Sequence, residues 1–347
     1  VTIYLMVALV VALGLFFTYT NGFQDGSSVA AGAIASRALT RPQAVLLVAT
    51  FEFLGALLGG SAVAGTISGV TSWPADPSLL PVLASALAGA ILWNLITKVL
   101  GVPSSSTHAL VGGVLGAVLA GAGDFRYIIW GSPNLIVNSS GFWRIILSLI
   151  ISPIFGFLVG YVGLLFAVAI LRRATVELND SLKQCQLIAV PMLAFGHGAN
   201  DSQKTMGIIV LSLYAAGLGS THEVPVWVRL ITAIALTLGV VSLVPRIVRR
   251  VGGIYKLKPL HGLVVEGASA LIVLGASATG GPLAASQVIA STVIGAGTAE
   301  RKKGVHWIIA REMVRAWFLT IPCSATLSWI LFSLLFVHLN AALPQPR

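Results

Sequence analysis

From Ile145 to Leu171 the chain carries no charged residue. A helix needs about 20 apolar residues to cross the roughly 30 Å hydrocarbon core of a bilayer, so this run alone is long enough to span one. Comparable apolar segments fall near 3–20, 23–39, 42–70, 78–100, 104–122, 143–171, 186–216, 226–248, 260–280, 283–299 and 305–338. The whole chain is 56% hydrophobic and only 9% charged, too few charges to cover that apolar surface in water. The expected fold is an all-α polytopic membrane protein with roughly 10–12 transmembrane segments. Short alternating segments of the kind that build a transmembrane β-barrel do not occur. The opening segment, YLMVALVVALGLFFTYTNG, has no basic residues ahead of it and no convincing cleavage site, so it reads as part of the fold and not as a signal peptide.

The net charge of +10 does not point to nucleic acid, because the basic residues sit in short loops between apolar runs. Arg37 and Arg41 share one loop, Arg172, Arg173 and Lys183 the central one, and Arg246, Arg249, Arg250, Lys256 and Lys258 a third. Arg301, Lys302 and Lys303 form a fourth, whereas 71–78 and 217–225 carry no Lys or Arg and 123–142 only Arg126. The positive-inside rule then places the first four loops, including the central one, in the cytoplasm of a multi-pass protein of the plasma (inner) membrane, and both termini outside. Cys185 and Cys323 make neither a disulfide framework nor a metal motif.

The interruptions of the apolar pattern recur. GFQDGSS (22–28) aligns with GANDSQK (198–204), GVPSSSTH (101–108) with GGPLAASQ (280–287), and WRIILSLIISP (143–153) with EMVRAWFLTIP (312–322). The three anchors keep their order at a separation of about half the chain, the mark of an internal repeat. Corresponding loops fall on opposite sides by their charge, so the repeats are expected to be inverted, as in many secondary transporters. The expected division is a first repeat over 1–172, a cytoplasmic linker over 173–185 and a second repeat over 186–347. Each half would hold a broken crossing (about 8–38 and 186–216), a plain crossing, a helical hairpin turning at Pro103 or Pro282, and a last crossing. The glycines of GFQDGSS and GANDSQK are expected to unwind their helices near mid-membrane, where open backbone must line a polar cavity.

Asp25 and Asp201 stand at equivalent positions inside these apolar segments. A carboxylate at the centre of a membrane helix costs about 2.5–3.5 kcal/mol on insertion scales. A cation held by carboxylate, amide and carbonyl oxygens would account for both; pairing with a neighbour such as Lys204 is the alternative. Gln24 and Asn200 precede the two aspartates and are candidate oxygen donors or helix caps. Asn21 and His197 are also paired by the alignment, and Glu52, inside VATFEFLGALLGG, is a third carboxylate on a cation path. The expected metal ligands, should the cation be Na⁺, are Asn21, Asp25, Glu52, Asn200 and Asp201.

Ser104, Ser105, Ser106 and Thr107 follow Pro103 at the start of a hairpin arm. Free N–H groups, the positive end of the helix dipole and four hydroxyls would make an oxyanion site there; plain capping is the alternative. Lys204, one helical turn after Asp201, could neutralise that aspartate, contact an anion or occupy the place of a coupling cation. Glu266 reads as closer to the interface, and Asn94, Thr97 and Lys98 as cavity-lining. The pairs Gly112–Gly116 and Gly156–Gly160 read as packing seams.

These residues resemble a family. GFQDGSS and GANDSQK look like the paired signature of the inorganic phosphate transporter (PiT) family, and PSSSTHALVGG is similar to its hairpin motif. The resemblance extends over nearly the whole chain. It implies a secondary transporter that imports inorganic phosphate with Na⁺ or H⁺ as coupling ion and with no other cofactor. It also implies cation and phosphate binding at Gln24, Asp25, Asn200 and Asp201, and anion binding at Ser104, Ser105, Ser106 and Thr107. The chain departs from the pattern at Gln24, at Lys204 and in PLAASQ, where only Ser286 and Gln287 remain polar; Lys204, Ser286 and Gln287 complete the expected phosphate set. Expected partners are phosphate, the coupling cation, membrane lipid and a second copy of the chain. Sulfate symport within the same family, a passive anion channel and an intramembrane enzyme built on Ser106 and His108 are the rival readings.

Overall fold

The structure is a computed structural model that describes residues 2–101, 104–133, 139–220, 223–242 and 245–336. The expected turn at Pro103 lies outside the described residues. The described chain is helical: α1 (Thr2–Val29), α2 (Ala31–Ala35), α3 (Arg41–Leu58), α4 (Ala62–Ser68), α5 (Leu79–Leu100), α6 (Ser106–Ala122), α7 (Gly141–Ile170), α8 (Leu178–Ala215), α9 (Val226–Val241), α10 (Pro245–Gly252), α11 (Pro259–Thr279), α12 (Ala285–Arg301) and α13 (Trp307–Phe336). One isolated bridge, Thr71 to Ile128, ties two loops. Six apolar stretches among the described helices are long enough to cross a membrane: α1 with α2, α3, α5, α7, α11 and α13. Helices α6 and α9 are apolar but shorter. The stretches 3–20 and 23–39, separate in the sequence reading, join in α1 and its short continuation α2, whereas the single stretch 42–70 divides into α3 and α4.

Local chemistry sets several boundaries. Before α3, the Thr40 backbone N–H and hydroxyl both donate to Gln43 Oε1 (3.0 and 2.8 Å), with Pro42 in the first turn. Helices α5 and α11 both end on a left-handed glycine, Gly101 (φ 67°) and Gly280 (φ 74°). A Cβ at such a φ meets the backbone, so glycine lets each hairpin turn at that point. Helix α8 starts at Leu178, so the second half of the expected 173–185 linker is helical.

The expected unwinding is not observed. Helix α1 runs through TNGFQDGSS without a break, and its interruption comes later, at Ala30. Helix α8 is continuous through GHGANDSQK. The glycines there serve close approach instead. A Cβ on Gly22 would lie 2.1 Å from the Leu236 carbonyl oxygen of α9, and one on Gly198 2.1 Å from the Glu52 carbonyl oxygen of α3. Backbone can therefore pack on backbone while the i→i−4 ladder stays intact.

The two halves make matched contacts: α7 packs on α12 as α13 packs on α6, and α3 packs on α8 as α9 packs on α1. Gly156 and Gly160 lie on the first of these seams, against Val288 and Thr292, and Gly112 and Gly116 on the second, against Ser324 and Ala325. Two large apolar cores result. One joins parts of α2, α3, α10, α11 and α12; the other joins parts of α4, α5, α6 and the start of α7. Helices α1 and α8 contribute to both cores; on α8 the polar run 197–205 falls between those contributions, and on α1 Gln24 and Asp25 lie between Phe23 and Val29 of the first core. At the loop after α10, Tyr255 donates its hydroxyl to Glu300, which also pairs with Lys258 Nζ (2.7 Å) and His261 Nε2 (2.9 Å). Burial and this carboxylate push the Tyr255 phenol up to about 12.

Candidate functional site

Helix periodicity places His197, Asn200, Asp201 and Lys204 on neighbouring positions of α8. Helix α1 brings Gln24 and Asp25 opposite them, and the starts of α6 and α12 close the space from two sides. All of these side chains are at most 1% exposed.

The carboxylates of Asp25 and Asp201 and the His197 imidazole each offer a ligand atom within 4.8 Å of the others. His197 stands between two acids, with Nδ1 2.8 Å from Glu52 Oε1 and Nε2 3.2 Å from Asp201 Oδ2. Ser106 Oγ donates to Asp25 Oδ2 at 2.6 Å. Asp25 Oδ1, Gln24 Oε1 and Glu52 Oε2 are buried oxygens without a hydrogen-bond donor. Such atoms are costly in an apolar interior, and a hard cation is what oxygen ligands of this kind satisfy.

Lys204 is the hub of the second part. Its Nζ donates to Asp201 Oδ1 (2.5 Å), to Thr107 Oγ1 (2.6 Å) and to the Leu283 carbonyl (2.7 Å). All three ammonium donors are thereby used, and the pairing with Asp201 weighed in the sequence is present. Thr107 Oγ1 donates in turn to the Leu283 carbonyl (2.9 Å).

The two hairpin tips meet the helices in parallel ways. Gln24 Nε2 donates to Ser104 Oγ (2.6 Å) and to its carbonyl (3.2 Å), and Thr97 Oγ1 lies 2.9 Å from Ser104 Oγ. Asn200 Nδ2 donates to the Gly281 carbonyl (3.1 Å) and to Ser277 Oγ (3.2 Å), while the Leu283 N–H donates to Asn200 Oδ1 (3.2 Å). Ser105 is the N-cap of α6 and accepts from the His108 N–H (3.1 Å). The nearest imidazole–serine contact is likewise His108 Nδ1 to Ser105 Oγ (2.6 Å), while Ser106 is engaged with Asp25.

A profile of the phosphate transporter family matches residues 21–328. The chain belongs to the phosphate transporter family. It is 34% identical over 338 residues to a Bacillus subtilis (strain 168) protein named "Probable low-affinity inorganic phosphate transporter", covering 95% of this chain and 97% of that one. A Rhizobium meliloti (strain 1021) protein of the same name is 35% identical over 324 residues, 92% of this chain and 93% of that one. The fold matches a solved structure described as "The sodium-dependent phosphate transporter" with TM-score 0.82 and 24% identity, over 96% of this chain and 99% of that one. The family is one of transporters and not of enzymes. With its apolar helices, the chain is a multi-pass membrane protein.

Not every residue singled out in the sequence joins the transporter's central cluster. Asn21 faces α5, where Asn94 Nδ2 lies 3.5 Å from its Oδ1, and Asn94 also donates to Thr20 Oγ1 (2.9 Å). Lys98 stacks its ammonium over the Phe23 ring, 3.8 Å from the centroid. Glu266 is buried beside Gly32, where a Cβ would lie 3.0 Å from Glu266 Oε1. Ser286 is buried with its hydroxyl unpartnered, and Gln287 Nε2 lies 3.4 Å from His108 Nδ1. Three participants went unread in the sequence. The Leu283 and Gly281 carbonyls are backbone groups that no side chain announces. Gln203, beside the motif aspartate, accepts from the Val63 N–H (2.8 Å) and donates to the Gly59 carbonyl (3.0 Å), holding α4 onto α8.

Proposed function

We propose that the protein imports inorganic phosphate by symport with a cation, using two inverted repeats and alternating access around the cluster just described. The observation that carries this reading is the convergence of Asp25, His197 and Asp201 with Lys204, Ser106 and Thr107 in one sealed, fully buried group. The names of the curated relatives support phosphate as the substrate. The cation belongs among the acids; the anion belongs at the start of α6, where Ser104–Thr107 and the N-terminal N–H groups lie beside Lys204. Carboxylates alone would repel phosphate, so a cation on Asp25 and Asp201 lowers the cost of admitting the anion, and this is the coupling. Because the present arrangement is closed on every side, the hairpin tips must part from α1 and α8 to open it.

Two cations suit different features. Unsatisfied oxygens on Asp25, Gln24 and Glu52 favour Na⁺, as the description of the solved relative does. The Lys204 ammonium already lies against Asp201 where a metal would sit, and His197 bridges two acids, which favours H⁺. Uptake of labelled phosphate and sulfate into proteoliposomes, under separately imposed Na⁺ and pH gradients, tests the proposal. Accumulation of phosphate driven by one gradient is the expected result. Flux without accumulation identifies a channel, and preference for sulfate replaces the anion.

A further inference from the structure

Away from the central cluster, a cavity of about 680 Å³ lies between α7 and α13 and reaches down to the starts of α6 and α12. Its rim is apolar and exposed, with Ile150 at 56%, Ile154 at 53% and Phe318 at 78%. On a membrane-spanning surface, such a rim opens to acyl chains and not to water. The inner wall is different, because it holds His108, Gln287 and Trp317, all buried. Gln287 Oε1 has no donor and Trp317 Nε1 has no acceptor. A buried polar group left unmatched is costly, so one unmatched acceptor and one unmatched donor lining a single apolar cavity are a recognition feature in search of a ligand. The volume lies within the roughly 300–1,000 Å³ of small-molecule pockets.

The geometry points to a binding site, entered sideways from the bilayer, for a neutral amphiphile with an apolar chain and a single hydroxyl group. A hydroxyl both donates and accepts, so it answers either kind of unmatched atom on this wall, the Gln287 Oε1 acceptor or the Trp317 Nε1 donor. A carboxylate could only accept, and a charge at this depth is disfavoured. The chain fills the space between α7 and α13. Gln287 borders His108, whose Nδ1 contacts the α6 cap Ser105, so the occupant sits directly behind the hairpin tips. This inference does not depend on which ion drives transport.

The test uses the full chain in liposomes and a photoreactive diazirine derivative of 1-dodecanol. Labelling is expected to saturate, to map to peptides covering 146–158 and 314–321, and to be competed by 1-dodecanol at least tenfold better than by dodecane. Ile154→Trp and Leu158→Trp each fill the cavity and are expected to cut labelling at least fivefold, with size-exclusion profiles confirming which variants fold. Competition on the unmodified protein decides the matter if neither does. Non-saturating labelling, equal competition by dodecane, or undiminished labelling of a folded filled variant overturns the site. So does efficient disulfide crosslinking of two Ile154→Cys copies, because a second chain would then cover the rim.

Discussion

The two hairpin tips are alike at their flanking glycines and N-caps and differ in chemistry. The first, between α5 and α6, turns at Gly101 (φ 67°), and the second, between α11 and α12, at Gly280 (φ 74°). Their N-cap residues are nearly superimposable in conformation, Ser105 at φ −102°, ψ 116° and Ala284 at φ −101°, ψ 102°. Yet the first tip presents hydroxyls, from Ser104 to Gln24, Ser106 to Asp25 and Thr107 to Lys204. The second presents backbone, the Gly281 and Leu283 carbonyls and the Leu283 N–H. Similar cap geometry at the two tips thus goes with polar side chains gathered on one of them. Lys204 spans the difference, since the same ammonium contacts a hydroxyl from one tip and a carbonyl from the other.

The largest effect is therefore expected at Lys204. Lys204→Met leaves Asp201 buried without its partner, and breaking a buried pair destabilises by about 3–5 kcal/mol. Its thermal midpoint in detergent should fall, and phosphate uptake should drop by at least about 100-fold, which corresponds to roughly 3 kcal/mol. Asp201→Asn combined with Lys204→Met should recover most of the midpoint and none of the uptake. Recovery of uptake in the double variant would show that the pair is only structural.

The unequal tips predict unequal sensitivity to side-chain loss. Thr107→Val removes a hydrogen bond to a charged group, worth about 1.5–3 kcal/mol, and should reduce uptake roughly 10- to 100-fold. Ser286→Ala removes a hydroxyl that bonds to nothing and should leave uptake within about threefold of the unmodified protein. Equal losses at the two positions would mean that the anion is shared evenly between the tips.

Where a tip is built of backbone, backbone should be its weak point. Gly280→Ala imposes a left-handed alanine, about 1–2 kcal/mol, and its Cβ would lie 2.9 Å from the Ala62 carbonyl oxygen. The variant should lower the thermal midpoint more than Ser286→Ala does. A midpoint unchanged by Gly280→Ala would mean that the second tip adjusts freely and is no rigid counterpart of the first.

How much of this was legible in the sequence follows the same division between side chain and backbone. Apolar runs of membrane length, the paired aspartates and the hydroxyl cluster at 104–107 are written in residue types, and the structure assembles Asp25, Asp201, Ser106 and Thr107 as those types suggest. The Leu283 carbonyl is invisible to residue-type reasoning, because an apolar side chain advertises nothing about the backbone it carries. The glycines of GHGAND misled for a related reason. Glycine permits both unwinding and close approach, and only the partner, here the Glu52 carbonyl of α3, decides which. His197 meets Asp201 at the i,i+4 spacing of α8, but its contact with Glu52 depends on how α3 crosses α8, which no local pattern encodes.

The smallest expected effect tests whether the missing hydroxyls of the second tip matter to stability or only to chemistry. Ser105 caps α6 through the His108 N–H, and Ser105→Ala should cost about 1 kcal/mol. Ala284 holds the same conformation without a side-chain cap. Ala284→Ser should then gain up to about 1 kcal/mol by accepting from the Gln287 N–H, which now donates to the Ala284 carbonyl at 3.0 Å. Thermal midpoints of the two single variants, measured side by side, check this. A gain at 284 that mirrors the loss at 105, with uptake unchanged, would establish that the second tip tolerates a cap. Its apolar character would then reflect a demand of the site and not of the helix. A loss at 284 would instead locate the demand in packing, since Ala284 is 1% exposed and belongs to the core around α5 and α6.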